Sequence, residues 1–176
     1  ALVTALQTIV SRNTDPMDNL VLSINRIEGG VKENVVAKEV TIEGTIRSLS
    51  DAALERAINR TEIIVKNICE GYECEGMTEW DEKVPAVCNP SDLLDTAKKA
   101  AAYAAGEGAI YNAPSSLASE DFACYQKAFP SFFYWVGSTQ EGERPEDLHR
   151  PCFHTDDNAM RIAAALLAAS ADITEE

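Results

Sequence analysis

The chain has 176 residues, 45% hydrophobic and 25% charged, enough for one domain or two small ones around a packed core. Its 15 basic residues stand against 29 acidic ones, a formal net charge of −14. That balance excludes a nucleic-acid surface, which needs clustered Lys and Arg, and a basic amphipathic stretch for anionic membranes. No apolar run approaches the roughly 20 residues that cross a bilayer, so neither nucleic acid nor membrane is an expected partner.

Leu2, Val3, Leu6, Ile9 and Val10 recur at helical spacing, so the chain opens inside an amphipathic helix with no N-cap residue before it. That helix is expected to end near Asn13, with Asp15-Pro16 making a turn. Such an opening is that of a chain cut in mid-element. Residues 1–12 also lack the basic region and small-residue cleavage site of a signal peptide.

The period then changes. Leu20 to Ile27 reads as a strand, Gly29-Gly30 breaks it, and a second strand is predicted from about Val35 to Ser48, with Val40, Ile42 and Ile46 on one face. Ser50 offers an N-cap to a helix whose stripe is Leu54, Ala57, Ile58, Thr61, Val65 and Ile68. A further strand is expected from Tyr72 to Trp80. The order α-β-β-α-β is that of a ferredoxin-like sandwich lacking its first strand.

Composition shifts around Val84-Pro85, which divides the chain into 1–83 and 84–176. In the second part, Pro90-Ser91 opens an alanine-rich helix that Gly106 stops, and Ser119 is placed to cap a short helix. Phe132 to Val136 reads as a buried strand. Asp156 or Asp157 then caps a last helix with Met160, Ala163, Ala164, Leu167 and Ala171 on its apolar side. Five cysteines, Cys69, Cys74, Cys88, Cys124 and Cys152, form no C-x-x-C pair, which predicts free thiols in a reducing, cytoplasmic setting.

One imidazole stands out. His149 lies in Leu148-His149-Arg150-Pro151, beyond the apolar run that ends Trp135-Val136-Gly137, and the only other histidine is His154. A metal site needs three or four protein ligands. His149 is therefore either an ordinary surface or hydrogen-bonding group, or one ligand of a set whose other members lie elsewhere. Arg47 can equally pair with Glu39 or Glu43, and Asn34 can be an ordinary turn residue. Cys152 and His154 near His149 fit no usual metal spacing.

Seven stretches, in order, resemble a known family. Ala5-Leu6-Gln7 through Ser11-Arg12-Asn13 with Asp15-Pro16, then Gly29-Gly30 with Asn34-Val35-Val36, then Gly44-Thr45-Ile46-Arg47, are similar to the inserted lid domain of metal-dependent aminoacylases. Val87-Cys88-Asn89 resembles the return to the catalytic domain. Ser119-Glu120-Asp121-Phe122, Phe133-Tyr134-Trp135-Val136-Gly137 and Leu148-His149-Arg150-Pro151 with Asp156-Asp157 resemble its final third. These are the N-acyl-amino-acid amidohydrolases, related to hippurate hydrolases, auxin-conjugate hydrolases and glutamate-releasing carboxypeptidases.

The resemblance implies an α/β (α+β) chain. Residues 1–83 would be a ferredoxin-like lid and dimerisation domain lacking its first strand, and 84–176 the C-terminal part of a zinc-exopeptidase-like α/β catalytic domain. It implies hydrolysis of the amide bond of N-acyl amino acids or small peptide-like substrates, and a homodimer formed through the lid. It also implies two divalent metal ions, zinc first and manganese or cobalt as alternatives, with His149 as one ligand. Asn34 and Arg47 match lid residues that reach toward the substrate's carbonyl and carboxylate. The family's other ligands, its catalytic glutamate and an oxyanion-stabilising histidine have no counterpart in residues 1–176, so this chain alone is expected to be inactive. Where the family commonly has an acid or Asn after the phenylalanine beyond the ligand loop, this chain has His154. The alternative reading is a non-catalytic dimerisation or small-molecule-binding module.

Overall fold

The computed structural model describes residues 1–81, 83–140, 142–146 and 148–173. It is a mixed α/β chain that divides into two compact units, one of residues 1–87 with 116–123, the other of residues 88–115 with 124–176.

In the first unit, α1 (Leu2–Asn13) leads through an Asx turn, in which Met17 N–H donates to Asp15 Oδ1 at 2.9 Å, into β1 (Leu20–Gly29). β1 pairs antiparallel with β2 (Val40–Ser48). Alternation sets Leu20 and Leu22 inward, where they meet Leu6 and Ile9 of α1 and Ala57, Ile64 and Val65 of α2 (Asp51–Gly71). Ile9, 1% exposed, is the most deeply buried large side chain among the described residues, and its burial contributes about 1.5–3 kcal/mol. The α2 stripe is the one the sequence predicts, and Ser50 Oγ accepts from Ala53 N–H at 3.3 Å as its N-cap. Register slips between Ile24 and Arg26, where β1 carries one extra residue, a bulge that bends the strand.

β2 begins at Val40 rather than near Val35. Residues 32–35 instead form a turn, with Val35 N–H donating to Lys32 O at 3.2 Å, and leave Val35 and Val36 exposed. The strand expected over Tyr72–Trp80 does not form. α2 ends in a Schellman arrangement, with Cys74 N–H donating to Cys69 O at 2.9 Å and Glu73 N–H to Glu70 O at 3.1 Å. This places Glu73 at φ 58, the left-handed position that favours glycine. Its carboxylate also stands at the negative end of the helix dipole. Glu73→Gly is expected to raise stability by about 0.5–1 kcal/mol, read as a higher urea midpoint with an unchanged slope.

In the second unit, a 3-10 turn (Ser91–Leu93) runs into α3 (Leu94–Ala105), which Gly106 ends at φ 86 with its N–H on Ala102 O at 2.8 Å. α3 packs on α5 (Asp157–Ile173) through Ala100, Leu166 and Ala169. The buried stripe of α5 is therefore Ala159, Leu166 and Ala169. Met160 and Leu167, expected on the apolar side, are 59% and 70% exposed, and Ala171 is exposed too. Asp156 caps α5, accepting from Asn158 N–H at 3.0 Å. The short helix α4 (Phe122–Ala128) begins among the first unit's residues 116–123, at Glu120 rather than Ser119, where Glu120 Oε1 accepts from Phe122 N–H at 3.2 Å.

Residues 132–136 are extended and half-buried except Trp135, but form no strand. Tyr134 and Val136 pack on the α3–α5 cluster, and Phe133 and Trp135 meet edge to face at 5.4 Å. Trp135 is 53% exposed, so the aromatic run is only partly core. Among the described residues no helix is long and apolar enough to cross a membrane, and all five cysteines are free thiols.

Candidate functional site

Arg47 sits on the outward face of β2, exposed, and its Nη1 donates to Leu117 O at 2.8 Å. Glu43, a neighbour the sequence offers it, is taken instead by Arg26, 3.4 Å away, and Arg26 also contacts Glu28. Among the described residues Arg47 makes no ion pair. A guanidinium carries five N–H donors in a planar fork, so one bond to a backbone carbonyl fixes its direction and leaves the others for an acceptor. The Leu117 carbonyl, 70 residues on, is a partner no sequence pattern reveals.

Asn34 lies in the same unit, in the exposed turn between β1 and β2. Its side chain makes no hydrogen bond among the described residues. The glycine pair before it serves the hairpin, since Gly30 is at φ 83.

His149 belongs to the second unit, in an exposed turn, with φ 67. A non-glycine residue in the left-handed region costs on the order of 1–3 kcal/mol and persists where the surroundings impose it, often at functional sites. The turn is anchored downstream, where Phe153 N–H donates to Arg150 O at 3.0 Å and Asp156 N–H to Ser138 O at 2.8 Å. His154 points elsewhere. Its Nε2 meets Glu143 Oε2 at 3.1 Å and its Nδ1 meets Cys152 O at 3.3 Å. The Glu143 bond, then the Cys152 carbonyl, raises the His154 pKa above its ordinary value. Cys152 Sγ donates to Glu146 Oε2 at 3.4 Å. Among the described residues no cluster of three or more His, Cys, Asp or Glu could hold a metal ion. His149 is thus a single exposed donor, chemically apt for a divalent metal but short of the three or four ligands such an ion takes.

Asn89 has a role its place in the sequence does not announce. Its Nδ2 donates to Phe133 O at 2.8 Å and its Oδ1 accepts from Phe133 N–H at 2.7 Å, so one side-chain amide satisfies both backbone groups of Phe133 as a neighbouring strand would. Gln126 works similarly, accepting from Cys88 N–H at 3.0 Å and donating to Ser131 O at 3.1 Å. These amides hold the extended segment that leads toward the His149 turn.

Fold and sequence together place the chain in peptidase family M20/M25/M40, and it belongs to that family over residues 5–172. Among its relatives, the N-acetyldiaminopimelate deacetylase of Bacillus subtilis (strain 168) is 34% identical over 168 residues, 94% of this chain and 43% of that protein. The N-acetylcysteine deacetylase of the same organism is 31% identical over 175 residues, 99% of this chain and 44% of that protein. A methicillin-resistant Staphylococcus aureus structure described as an aminohydrolase superposes with TM-score 0.84 and 27% identity, over 98% of this chain and 44% of that one. A dinuclear metal-binding peptidase of the M20 family from Bacillus subtilis does so with TM-score 0.76 and 29% identity, over 99% of this chain and 46% of that one. The chain therefore spans less than half the length of the relatives it matches.

Proposed function

We propose that the full-length protein hydrolyses the amide bond of N-acyl amino acids, N-acetylated ones first, at a centre of two divalent metal ions to which this chain contributes His149. The observation that carries the reading is the His149 turn, an exposed imidazole held in a strained backbone conformation within a chain of the M20 family. Relatives that remove acetyl groups from diaminopimelate and cysteine derivatives support the substrate class. Residues 1–83 serve as the lid, and residues 84–176 as part of the catalytic domain.

Arg47 grips the substrate carboxylate with the donors its Leu117 bond leaves over, and Asn34 reaches the reacting carbonyl. When bound, the metal ions, zinc first and manganese or cobalt as alternatives, polarise that carbonyl and supply hydroxide near neutral pH. Since His149 is one donor of several, residues 1–176 alone are inactive. The edge of β1 that no strand covers among the described residues suits pairing of two lids in a homodimer, and five free thiols suit a cytoplasmic setting.

The test is hydrolysis by the full-length protein of an N-acetyl amino acid and of its uncharged α-amide. Arg47→Met is expected to lower kcat/KM for the acid about 10–100-fold and to leave the amide nearly unchanged. Equal loss on both substrates would show that Arg47 does not read the carboxylate.

A further inference from the structure

The C-terminal cap of α2 joins two cysteines. Cys69 lies in the last turn of the helix, and Cys74 closes the Schellman arrangement, its N–H donating to Cys69 O at 2.9 Å. Glu73, at φ 58, makes the turn between them. The two residues linked by this long bond are the ones whose side chains meet across such a cap, commonly as an apolar contact. Here both are thiols.

The bond also limits their separation. Standard backbone lengths keep the two Cα atoms within about 6.8 Å of each other. A disulfide joins Cα atoms about 4.4–6.8 Å apart. Cys69 is held in place, since it is half-buried against the core of the first unit. The Gly76 backbone passes so near that a Cβ there would lie 2.6 Å from Cys69 Sγ. Cys74 is exposed, and its Sγ donates to Tyr72 O at 3.4 Å, a weak bond that one rotation about Cα–Cβ breaks. One sulfur is fixed and the other can swing.

We propose that Cys69 and Cys74 form a modification site, a dithiol that a small-molecule disulfide converts to an intramolecular disulfide across the α2 cap. The exposed Cys74, as thiolate, attacks one sulfur of the small disulfide, which gives a mixed disulfide and releases one small thiolate. Cys69 then attacks the Cys74 sulfur, the mixed bond breaks and a second small thiol leaves. The pair gives up two electrons and two protons, and both are recovered in the two small thiols. In a reducing setting the dithiol is the resting form, and the bond forms transiently when small disulfides accumulate. Nothing in this chemistry draws on a metal centre.

The experiment equilibrates the full-length protein with graded mixtures of reduced and oxidised glutathione, followed by quenching, alkylation under denaturing conditions and tryptic digestion. Lys66 and Lys83 bound one tryptic peptide, residues 67–83, whose only cysteines are Cys69 and Cys74. The internal disulfide reads as that peptide two hydrogens lighter and carrying no alkyl group. Its equilibrium constant is expected to be about 10-fold or more larger in the folded protein than in the synthetic 67–83 peptide, which lacks the cap, because the fold raises the effective concentration of one thiol at the other. Cys69→Ser should stop at a glutathione adduct on Cys74. An equal or smaller constant in the folded protein, or accumulation of the Cys74 adduct without ring closure when Cys69 is present, overturns the proposal.

Discussion

Replacing His149 by glycine in the full-length protein is expected to separate stability from activity, raising the first while abolishing the second. At φ 67 the histidine pays a backbone penalty that glycine does not, so His149→Gly should stabilise the fold by up to about 1 kcal/mol. If the imidazole is a metal ligand, the same change removes a donor. Bound divalent metal, measured by elemental analysis after dialysis, should then fall from two ions toward one, and kcat/KM by about 100-fold or more. His149→Ala should lose activity equally without the gain in stability. A surface histidine with no ligand role predicts the opposite split, in which stability changes and both metal content and turnover stay put. That result would end the metal assignment.

Gly44→Ala is expected to be the most damaging single methyl in the first unit. A Cβ at that position would lie 2.2 Å from Ser23 O and 3.2 Å from Ile24 Cδ1. The first contact is with backbone, so relief requires the hairpin to open, next to the bulge where its pairing is already irregular. Strain of this kind with loss of a ladder contact costs about 2–4 kcal/mol. Urea unfolding followed by circular dichroism should show a lower midpoint, and a change below about 0.5 kcal/mol would mean the strands are not so close. Gly44 lies in the stretch that resembles the aminoacylase lid, beside Arg47. Its reason for being glycine is the approach of β1.

Much of this was legible along the chain, and the failures share physical causes. α1, β1 and α2 follow from apolar periodicity and from the Ser50 cap, signals carried by neighbouring residues. The segments 72–80 and 132–136 have strand-like composition, yet a strand exists only where another backbone pairs with it. The first lacks such a partner among the described residues, and the second is held by the Asn89 side chain. On α5, alanines around much of the helix blur the apolar stripe, so the buried face could not be told from its neighbour until α3 was seen against it. In the sequence, residue type singled out His149, while Arg47 and Asn34 were singled out by the family resemblance. The left-handed turn of His149 and the carbonyl that steers Arg47 depend on contacts no local pattern encodes.

Residues 116–123 return to the unit that begins at Ala1, and there Leu117 supplies the carbonyl that orients Arg47. A protein trimmed after Val87 would keep both strands and both long helices of that unit while losing the stop against which the guanidinium rests. Grafting or dissecting this unit therefore requires carrying a short peptide from far downstream, since the guanidinium and its rest are encoded on opposite sides of α3.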